Sequence, residues 1–294
     1  MTSLLVALIG AGSMAAHHAR VVSGCAKATL AVVVDRDRDR ATRLADRWGA
    51  EPSTSLSAAL DCDAAVVATS TAAHAHAAVE LIEAGIPVLV EKPLTPALAA
   101  TRELLDVAEL RDVALMCGFV ERFNPQFLRL AEQVGTAISH IRTVRVGPAP
   151  QRTHSPVVDD VLIHDLDLVL RLTPGDQVAA VRAEAWGWCP TNAWPETVTC
   201  ELTMASGITA SLRACRASPI RRRDVCITQP NARERRANLL EPAGDALAAQ
   251  FEYFCWLAES ASAAQRDEER SGVLASHEIA HVIEQQLGAA RCTQ

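Results

Sequence analysis

A chain of 294 residues is too long for one ordinary core and long enough for two domains of roughly 100–150 residues each. Apolar residues make up 49% and charged residues 21%, which excludes a mainly disordered chain, because enough apolar surface is available to offset chain entropy. The formal net charge of -7 argues against a surface built to bind nucleic acid or anionic lipid.

The first part of the chain alternates between strand and helix patterns. Short apolar runs typical of buried parallel strands cover residues 4–9, 29–35, 63–69, 86–91 and 113–117. Helical patterns lie between them, at residues 13–23, 37–49, 72–84 and 96–110. This alternation predicts an α/β fold with a doubly wound parallel sheet, whose ligand crevice lies at the carboxyl ends of the strands.

The pattern changes near residues 118–125, where we expect the domain boundary. Alternating patterns then predict strands of a mostly antiparallel open sheet at residues 138–147, 178–188, 196–204, 207–216 and 222–229. Helices are expected at residues 159–172, 244–262 and 272–288. We therefore predict a domain over residues 1–120 and an α+β domain over residues 121–294, with the last helices able to pack back on the first domain.

Cysteine usage and the amino-terminal segment both bear on the compartment. None of the nine cysteines forms a C-x-x-C pair, so free thiols are expected rather than a zinc ribbon or a redox dithiol. The first residues lack a positive segment and have too short an apolar run for a signal peptide, and no run of about 18 apolar residues predicts a membrane span. We expect a cytoplasmic protein with neither a membrane nor a nucleic-acid partner.

A glycine-rich turn follows the first predicted strand directly. Gly10 permits a tight turn, and Gly12 lets a pyrophosphate approach the backbone. The next helix begins at Ser13 and Met14 and offers unpaired N–H groups to phosphates. Asp35 ends the second strand, where a carboxylate accepts hydrogen bonds from ribose hydroxyls. The first domain is therefore predicted to be a dinucleotide-binding Rossmann domain.

The identity of the dinucleotide depends on the residues around Asp35. Its carboxylate repels a 2′-phosphate and so favours NAD. Arg36 and Arg38 stand beside it, and an arginine can recruit that phosphate, which leaves NADP as the alternative.

Two further segments carry candidate catalytic groups. Lys92, one of only two lysines, follows Glu91 at the end of the fourth predicted strand, where it can donate to a substrate oxygen. Asp160 and His164 are four residues apart and thus on one helical face. Asp160 can fix the imidazole tautomer while His164 exchanges a proton with a substrate hydroxyl. The alternative for Lys92 is an ordinary surface lysine at a strand-to-turn corner.

Two segments contain residue types that can bind a metal ion. Asp165 and Asp167 are of ligand type but point elsewhere on the helix from Asp160 and His164, so no metal is expected there. Residues 277–281 match H-E-x-x-H, but the 13 residues that follow are too few for the usual third zinc ligand.

Taken together, these segments resemble the Gfo/Idh/MocA oxidoreductase family over essentially the whole chain. The matching pieces are GAGSMAAHHARV at 10–21, Asp35, TSTAAH at 69–74, EKP at 91–93, GFVERFNP at 118–125, and Asp160 with His164. The resemblance implies that Lys92, Asp160 and His164 work at the nicotinamide and that the Lys92–Pro93 bond is cis. It also implies cofactor contacts, namely from Thr69, Ser70, His74 and Glu91.

Within the family, the later segments look like the UDP-N-acetylglucosamine 3-dehydrogenase-like branch. This likeness implies hydride transfer at C3 of a nucleotide-linked amino or deoxy sugar lying between the domains. The candidate substrate-binding residues are Arg122, Asn124, Arg145 and Arg152. Leu162 stands where the family commonly has glycine, which narrows the pocket and leaves the substrate open.

Two other functions remain open at this point. One is a dehydrogenase or reductase of free inositol or other polyols, and the other is a non-catalytic NAD-binding regulator. The exposed sheet face in this family commonly joins subunits, so the resemblance implies a homo-oligomer, either a dimer or a tetramer.

Overall fold

The computed structural model describes residues 3–148, 155–189, 194–241 and 243–292. Within it the chain forms two compact units. The first contains the residues up to Phe119 together with Leu247–Leu274, and the second contains Val120–Ala246 and the residues from Ala275 onward.

A six-stranded parallel sheet forms the centre of the first unit. Its strands are β1 (Leu4–Ile9), β2 (Ala28–Val34), β3 (Glu51–Ser53), β4 (Ala64–Val67), β5 (Val88–Val90) and β6 (Leu115–Cys117). The helices between them are α1 (Ser13–Gly24), α2 (Arg38–Trp48), α3 (Thr71–Glu83) and α4 (Leu98–Leu110). The strand order is β3-β2-β1-β4-β5-β6, so the order reverses between β1 and β4 and opens a crevice at their carboxyl ends.

This sheet confirms the predicted doubly wound architecture. Strands β4, β5 and β6 consist entirely of buried residues, as expected when helices cover both faces of a parallel sheet. Only β3 was not predicted, because three residues with a central Pro52 carry no strand signal.

The second unit is built on a mixed, mostly antiparallel sheet. Its strands are β7 (His140–Val146), β8 (Val178–Trp188), β9 (Pro195–Met204), β10 (Thr209–Cys215), β11 (Arg222–Thr228) and β12 (Glu234–Asn238). The order is β12-β11-β7-β10-β9-β8, and β7 and β10 pair in parallel while the other neighbours are antiparallel. Helix α5 (Pro125–Val134) precedes the sheet, and a π-helical turn (Val158–Leu162) leads into α6 (Ile163–Leu172).

Only one face of this second sheet is buried. In β9, Val198, Cys200 and Leu202 are buried, whereas Glu201 and Thr203, which alternate with them, are exposed. Sequence analysis predicted this sheet but missed β12, whose sequence ERRAN has no alternation of apolar residues. It also missed α5, although Asn124 caps that helix by accepting from the Gln126 N–H.

The chain ends in α7 (Ala246–Glu259) and α8 (Ala263–Cys292), and the boundary between the units falls within α8. Helix α8 begins nine residues before its predicted start at 272. Its beginning is set by a capping box, in which Ser262 Oγ accepts from the Gln265 N–H while Gln265 Oε1 accepts from the Ser262 N–H. In the ranges described, no helix combines the length and the apolar character that crossing a membrane requires.

Candidate active site

The glycine-rich turn after β1 leaves no room for a side chain at its first position. Gly10 has φ +106°, and a Cβ there would lie 2.6 Å from the carbonyl oxygen of Ala68 at the end of β4. At Gly12, by contrast, a Cβ would meet nothing within 4 Å. Gly12 caps α1 without a side-chain hydrogen bond, and Ser13 and Met14 are exposed. The first turn of α1 thus offers open backbone N–H groups that fit a pyrophosphate.

Asp35 ties this turn to the next one. Its Oδ2 accepts from the Ala11 N–H at 2.7 Å, and its Oδ1 accepts from the Asp37 N–H at 2.9 Å. Each carboxylate oxygen keeps a second lone pair, and the side chain is half-exposed, so ribose hydroxyls can still donate to it. Arg36 beside it is exposed. The open helix start and this carboxylate fit a dinucleotide such as NAD.

The segment after β5 holds Lys92. Its side chain is half-buried, and the Lys92–Pro93 bond is cis, as the family resemblance implied. Glu91 is buried, and it accepts from His18 Nε2 at 2.7 Å and from the Lys92 N–H at 3.2 Å. Although burial acts to raise it, the pKa of Glu91 lies below its ordinary value, because the hydrogen bond and charge of His18 outweigh burial. The Glu91 carboxylate thus bonds to protein groups, and its direct contact with a cofactor stays a prediction.

His74 likewise lies inside the first unit. It is 1% exposed, with Nδ1 at 3.1 Å from the carbonyl oxygen of Pro93 and Nε2 at 3.3 Å from that of Thr69. Burial lowers the pKa of His74, so the ring is neutral near pH 7 and donates from one nitrogen at a time. Both ring nitrogens face backbone carbonyls, and the contact of His74 with the cofactor stays a prediction. Thr69 is half-exposed, and the exposed Ser70 begins α3 without a side-chain cap.

Asp160 and His164 lie in the second unit. Asp160 is part of the π-helical turn, His164 is in the first turn of α6, and both are half-buried. Single π turns occur frequently at functional sites, where they change the direction of side chains within a helix. Both side chains can therefore still be reached by a ligand.

Arg145 is part of a buried ionic network instead of an anion site. Its Nη1 donates to Glu121 Oε1 at 2.7 Å, and its Nη2 and Nε donate to Asp165 Oδ1 at 2.7 and 2.9 Å. Burial opposes the charge of Arg145, but the two carboxylates hold its pKa above the ordinary value. Arg223 also donates to Glu121, at 2.8 Å. Arg145 is 5% exposed and engaged by carboxylates, which argues against the predicted diphosphate contact.

Arg122 and Asn124 are also structural. Arg122 forms a buried two-point ion pair with Asp167, with Nε at 3.0 Å from Oδ2 and Nη2 on Oδ1. Asn124 caps α5 and donates to the carbonyl oxygen of Leu239 at 3.0 Å. Arg122 is buried in this ion pair, whereas Asn124 is half-buried, and their substrate contacts stay predictions. Arg152 lies outside the described residues.

Sequence reasoning missed the partners in these contacts, which are His18, Glu121, Asp165 and Asp167. The sequence contained one indication that Arg145 is buried. Side chains alternate between the two faces of a strand, and Arg145 lies two and four residues after Thr143 and Ile141 on β7, so it shares their buried face. No group of three or more potential metal ligands comes together in the described part of the chain. Within the H-E-x-x-H match, His277 is buried, while His281 is exposed with its Nε2 at 2.9 Å from Gln285.

The fold and the glycine turn define a dinucleotide-binding Rossmann architecture. The Gfo/Idh/MocA family model, described as an oxidoreductase family with an NAD-binding Rossmann fold, matches residues 4–119. A UDP-N-acetylglucosamine 3-dehydrogenase from Acidithiobacillus ferrooxidans is 30% identical over 218 residues, which cover 74% of this chain and 68% of the relative. The chain therefore belongs to the Gfo/Idh/MocA family.

Other relatives differ in the substrate that their names give. Myo-inositol dehydrogenase Hyg17 of Streptomyces leeuwenhoekii is 34% identical over 199 residues, or 64% of this chain. The chain spans 56–61% of the length of this and two further curated relatives. A crystal structure of the Acidithiobacillus enzyme has a TM-score of 0.86 at 25% identity and covers 98% of this chain and 99% of that one. GenD2 from gentamicin A biosynthesis, in complex with NAD, has a TM-score of 0.88 at 22% identity over 98% of this chain and 95% of that one, a likeness of fold.

Proposed function

We propose that this protein is an NAD-dependent dehydrogenase or ketoreductase of a secondary hydroxyl on a sugar ring. The observation that carries the proposal is Lys92. It is one of two lysines in the chain, and it is half-buried on a fixed backbone at the carboxyl edge of the sheet that also bears Gly10 and Asp35. The place of Lys92 at the edge where a parallel sheet has its ligand crevice supports a chemical role.

The residues divide the proposed reaction between them. Gly10, Gly12 and the first turn of α1 would hold the pyrophosphate, and Asp35 the ribose. When bound, the nicotinamide accepts or returns the hydride of the reacting carbon. Lys92 donates to the substrate oxygen and stabilises its developing negative charge. His164 accepts the hydroxyl proton in the oxidative direction, and Asp160 orients the imidazole.

For the substrate class, we propose a nucleotide-linked amino or deoxy sugar that reacts at C3. Support comes from the 3-dehydrogenase relative, whose similarity extends over 74% of this chain in sequence and 98% in structure. With Arg122 and Arg145 engaged in ion pairs, the diphosphate would be held by other groups. Free inositol is the second candidate, and the observation that favours it is the 34% identity to a myo-inositol dehydrogenase.

A turnover panel separates these candidates. The full chain is assayed with NAD and with NADP against UDP-N-acetylglucosamine, free N-acetylglucosamine and myo-inositol, and His164→Asn serves as a catalytic control. The proposal expects a far higher kcat/KM for the nucleotide sugar than for the free sugar, and loss of that turnover in the variant. Higher activity on myo-inositol would transfer the assignment to the second candidate. No turnover on any of them, with tight NADH binding, would favour a non-catalytic NAD-binding regulator.

We also propose a homo-oligomer, a dimer or a tetramer, located in the cytoplasm. The second unit supports assembly because its sheet has one exposed face, with Trp186 48% exposed on β8. The eight cysteines from Cys25 to Cys255 are free thiols, which supports a reducing compartment. Sedimentation equilibrium tests the assembly, and a monomer at micromolar concentration would contradict it.

A further inference from the structure

Two buried histidines flank the segment that carries Lys92. His18 lies on α1 and is fully buried, and His74 lies on α3 and is 1% exposed. His18 reaches the segment through the carboxylate of Glu91, and His74 reaches it directly through the carbonyl oxygen of Pro93. One histidine thus acts on each side of Lys92 in the chain.

On the amino-terminal side of Lys92, the Glu91 carboxylate accepts two hydrogen bonds. Glu91 receives His18 Nε2 on Oε1 and the Lys92 N–H on Oε2, so one carboxylate joins α1 to the backbone of Lys92. His18 Nδ1 is buried and has no hydrogen-bond partner within the described residues, so Glu91 is the polar partner that fixes the ring. A carboxylate oxygen accepts, so in this 2.7 Å contact His18 Nε2 is the donor.

Packing prevents this carboxylate from moving away. Gly118 follows β6, and a Cβ at that position would lie 3.0 Å from Glu91 Oε2 and 3.1 Å from Glu91 Cα. Glu91 therefore fits in this position because Gly118 has no side chain. Because the carboxylate is confined between Gly118 and His18, the position of the Lys92 N–H is confined with it.

We infer that His18 and Glu91 are positioning residues that, together with His74, set the location of the Lys92 ammonium relative to the first turn of α1. The inference rests on the proposed role of Lys92. Helix α1 begins at the glycine turn, and His18 lies in its second turn, so the network joins the proposed phosphate-binding backbone to Lys92, the proposed hydrogen-bond donor to the substrate oxygen. A misplacement of about 1 Å at a reacting group can cost roughly 100-fold in rate. Neither histidine needs to touch the substrate to produce such an effect.

Three variants test the inference. His18→Leu removes the donor to Glu91, His18→Gln restores an N–H near the position of Nε2, and Glu91→Gln keeps the shape but removes the charge. His17→Leu is the matched control, because His17 is the exposed neighbour on the same helix. We expect kcat to fall roughly 10–100-fold in His18→Leu and Glu91→Gln, with KM and NADH affinity within about twofold of wild type. His18→Gln should recover most of the loss, and His17→Leu should show none.

A second readout does not require turnover. The chain has two lysines, so reductive ¹³C-methylation gives two side-chain signals, which Lys27→Arg assigns. We expect the Lys92 signal to change position in His18→Leu and Glu91→Gln while the Lys27 signal stays in place. If His18 and Glu91 only stabilise the fold, the variants should have a lower melting temperature. Their Lys92 signal and their kcat should then equal those of wild type.

The outcomes separate this inference from the proposed function. A moved Lys92 signal in a protein that turns over none of the panel substrates would support the positioning network and contradict the dehydrogenase assignment. An unmoved signal together with wild-type kcat in His18→Leu would overturn the inference and leave the assignment intact. If His18→Leu does not fold, Glu91→Gln and His18→Gln decide by the same two readouts.

Discussion

The two units bury polar side chains in different ways. In the first unit, the sheet is buried on both faces, and the buried polar contacts of His18, Glu91 and His74 gather around one short segment at its carboxyl edge. In the second unit, the buried charges join the sheet and the turn before α5 to α6, the helix that bears His164. A parallel sheet has its ligand crevice at the strand ends, so polar groups gathered there are placed to act on a ligand. The second unit instead uses ion pairs to hold a helix in place.

These ion pairs hold α6 within its first turn and directly after it. Asp165 is bound by Arg145 from β7, and Asp167 is bound by Arg122 from the turn before α5. Both carboxylates follow His164 within three residues. The arginines that the sequence suggested as substrate anchors therefore hold the candidate catalytic helix.

The largest expected effect comes from breaking the network of the second unit. Arg145→Met leaves the carboxylates of Glu121 and Asp165 buried without their shared partner, which should lower the free energy of unfolding by about 3–5 kcal/mol. Arg145→Lys should also be destabilising, because a point charge cannot replace a guanidinium that bridges two carboxylates. Urea denaturation measures both.

Arg129→Met is the control, since Arg129 is exposed on α5 and donates to the carbonyl of Pro125 in its own helix. It should change the free energy of unfolding by less than about 0.5 kcal/mol. Wild-type stability in Arg145→Met would show that the buried network contributes nothing to the second unit.

Next in size is the catalytic effect expected in the first unit. Lys92→Ala should lower kcat by about 100-fold or more, because the developing charge on the substrate oxygen loses its donor. NADH affinity, measured by fluorescence titration, should change little. Lys27→Ala, the exposed second lysine, should retain full turnover. Near-normal turnover in Lys92→Ala would remove Lys92 from the mechanism.

A smaller effect depends on pH and belongs to the second unit. Burial, and then the charge of Asp159, raise the pKa of Glu284 on α8 from 4.5 to about 7, while Arg216 acts in the opposite direction. Between these two values the folded state holds a proton that the unfolded state has lost, so wild-type stability should fall as pH rises from about 4.5 to about 7.

Glu284→Gln should remove this loss of stability. Its free energy of unfolding should exceed that of wild type by on the order of 2 kcal/mol at pH 8, and the difference should disappear near pH 4. Thermal unfolding across that pH range measures it, with the exposed Glu268→Gln as a control that follows wild type. An equal difference between Glu284→Gln and wild type at both pH values would contradict the raised pKa.

The smallest expected effect concerns the choice of cofactor. Asp35→Ala should weaken NAD binding by roughly tenfold and narrow the gap to NADP. It should also loosen the glycine turn, because Asp35 holds the Ala11 and Asp37 N–H groups. Asp35→Asn keeps one acceptor and should lie between Asp35→Ala and wild type, whereas the exposed Asp46→Asn should match wild type. Tighter wild-type binding of NADPH than of NADH would show that Arg36 or Arg38 overrides the carboxylate.

Local patterns were sufficient for most of the fold. Apolar runs of strand length and the turn at Gly10 determined the parallel sheet, because buried strands and tight turns leave signals within a few residues of sequence. Strand β12 and the early start of α8 were not predicted from the sequence, because many of their residues are charged. Pairing and capping partners stabilise them, and hydrophobic periodicity does not.

The sequence by itself also determined which residues are candidates for the site: a lysine at a strand end, a histidine four residues after an aspartate, and a carboxylate after β2. Only the tertiary structure decided what the other polar residues do. Whether Arg122 and Arg145 bind an anion or a buried carboxylate depends on partners 20 to 45 positions away in the chain. Likewise, His18 reaches Glu91 across 73 positions. A charged side chain is stabilised by whichever opposite charge the fold brings within hydrogen-bond distance, and spacing along the chain does not specify that partner.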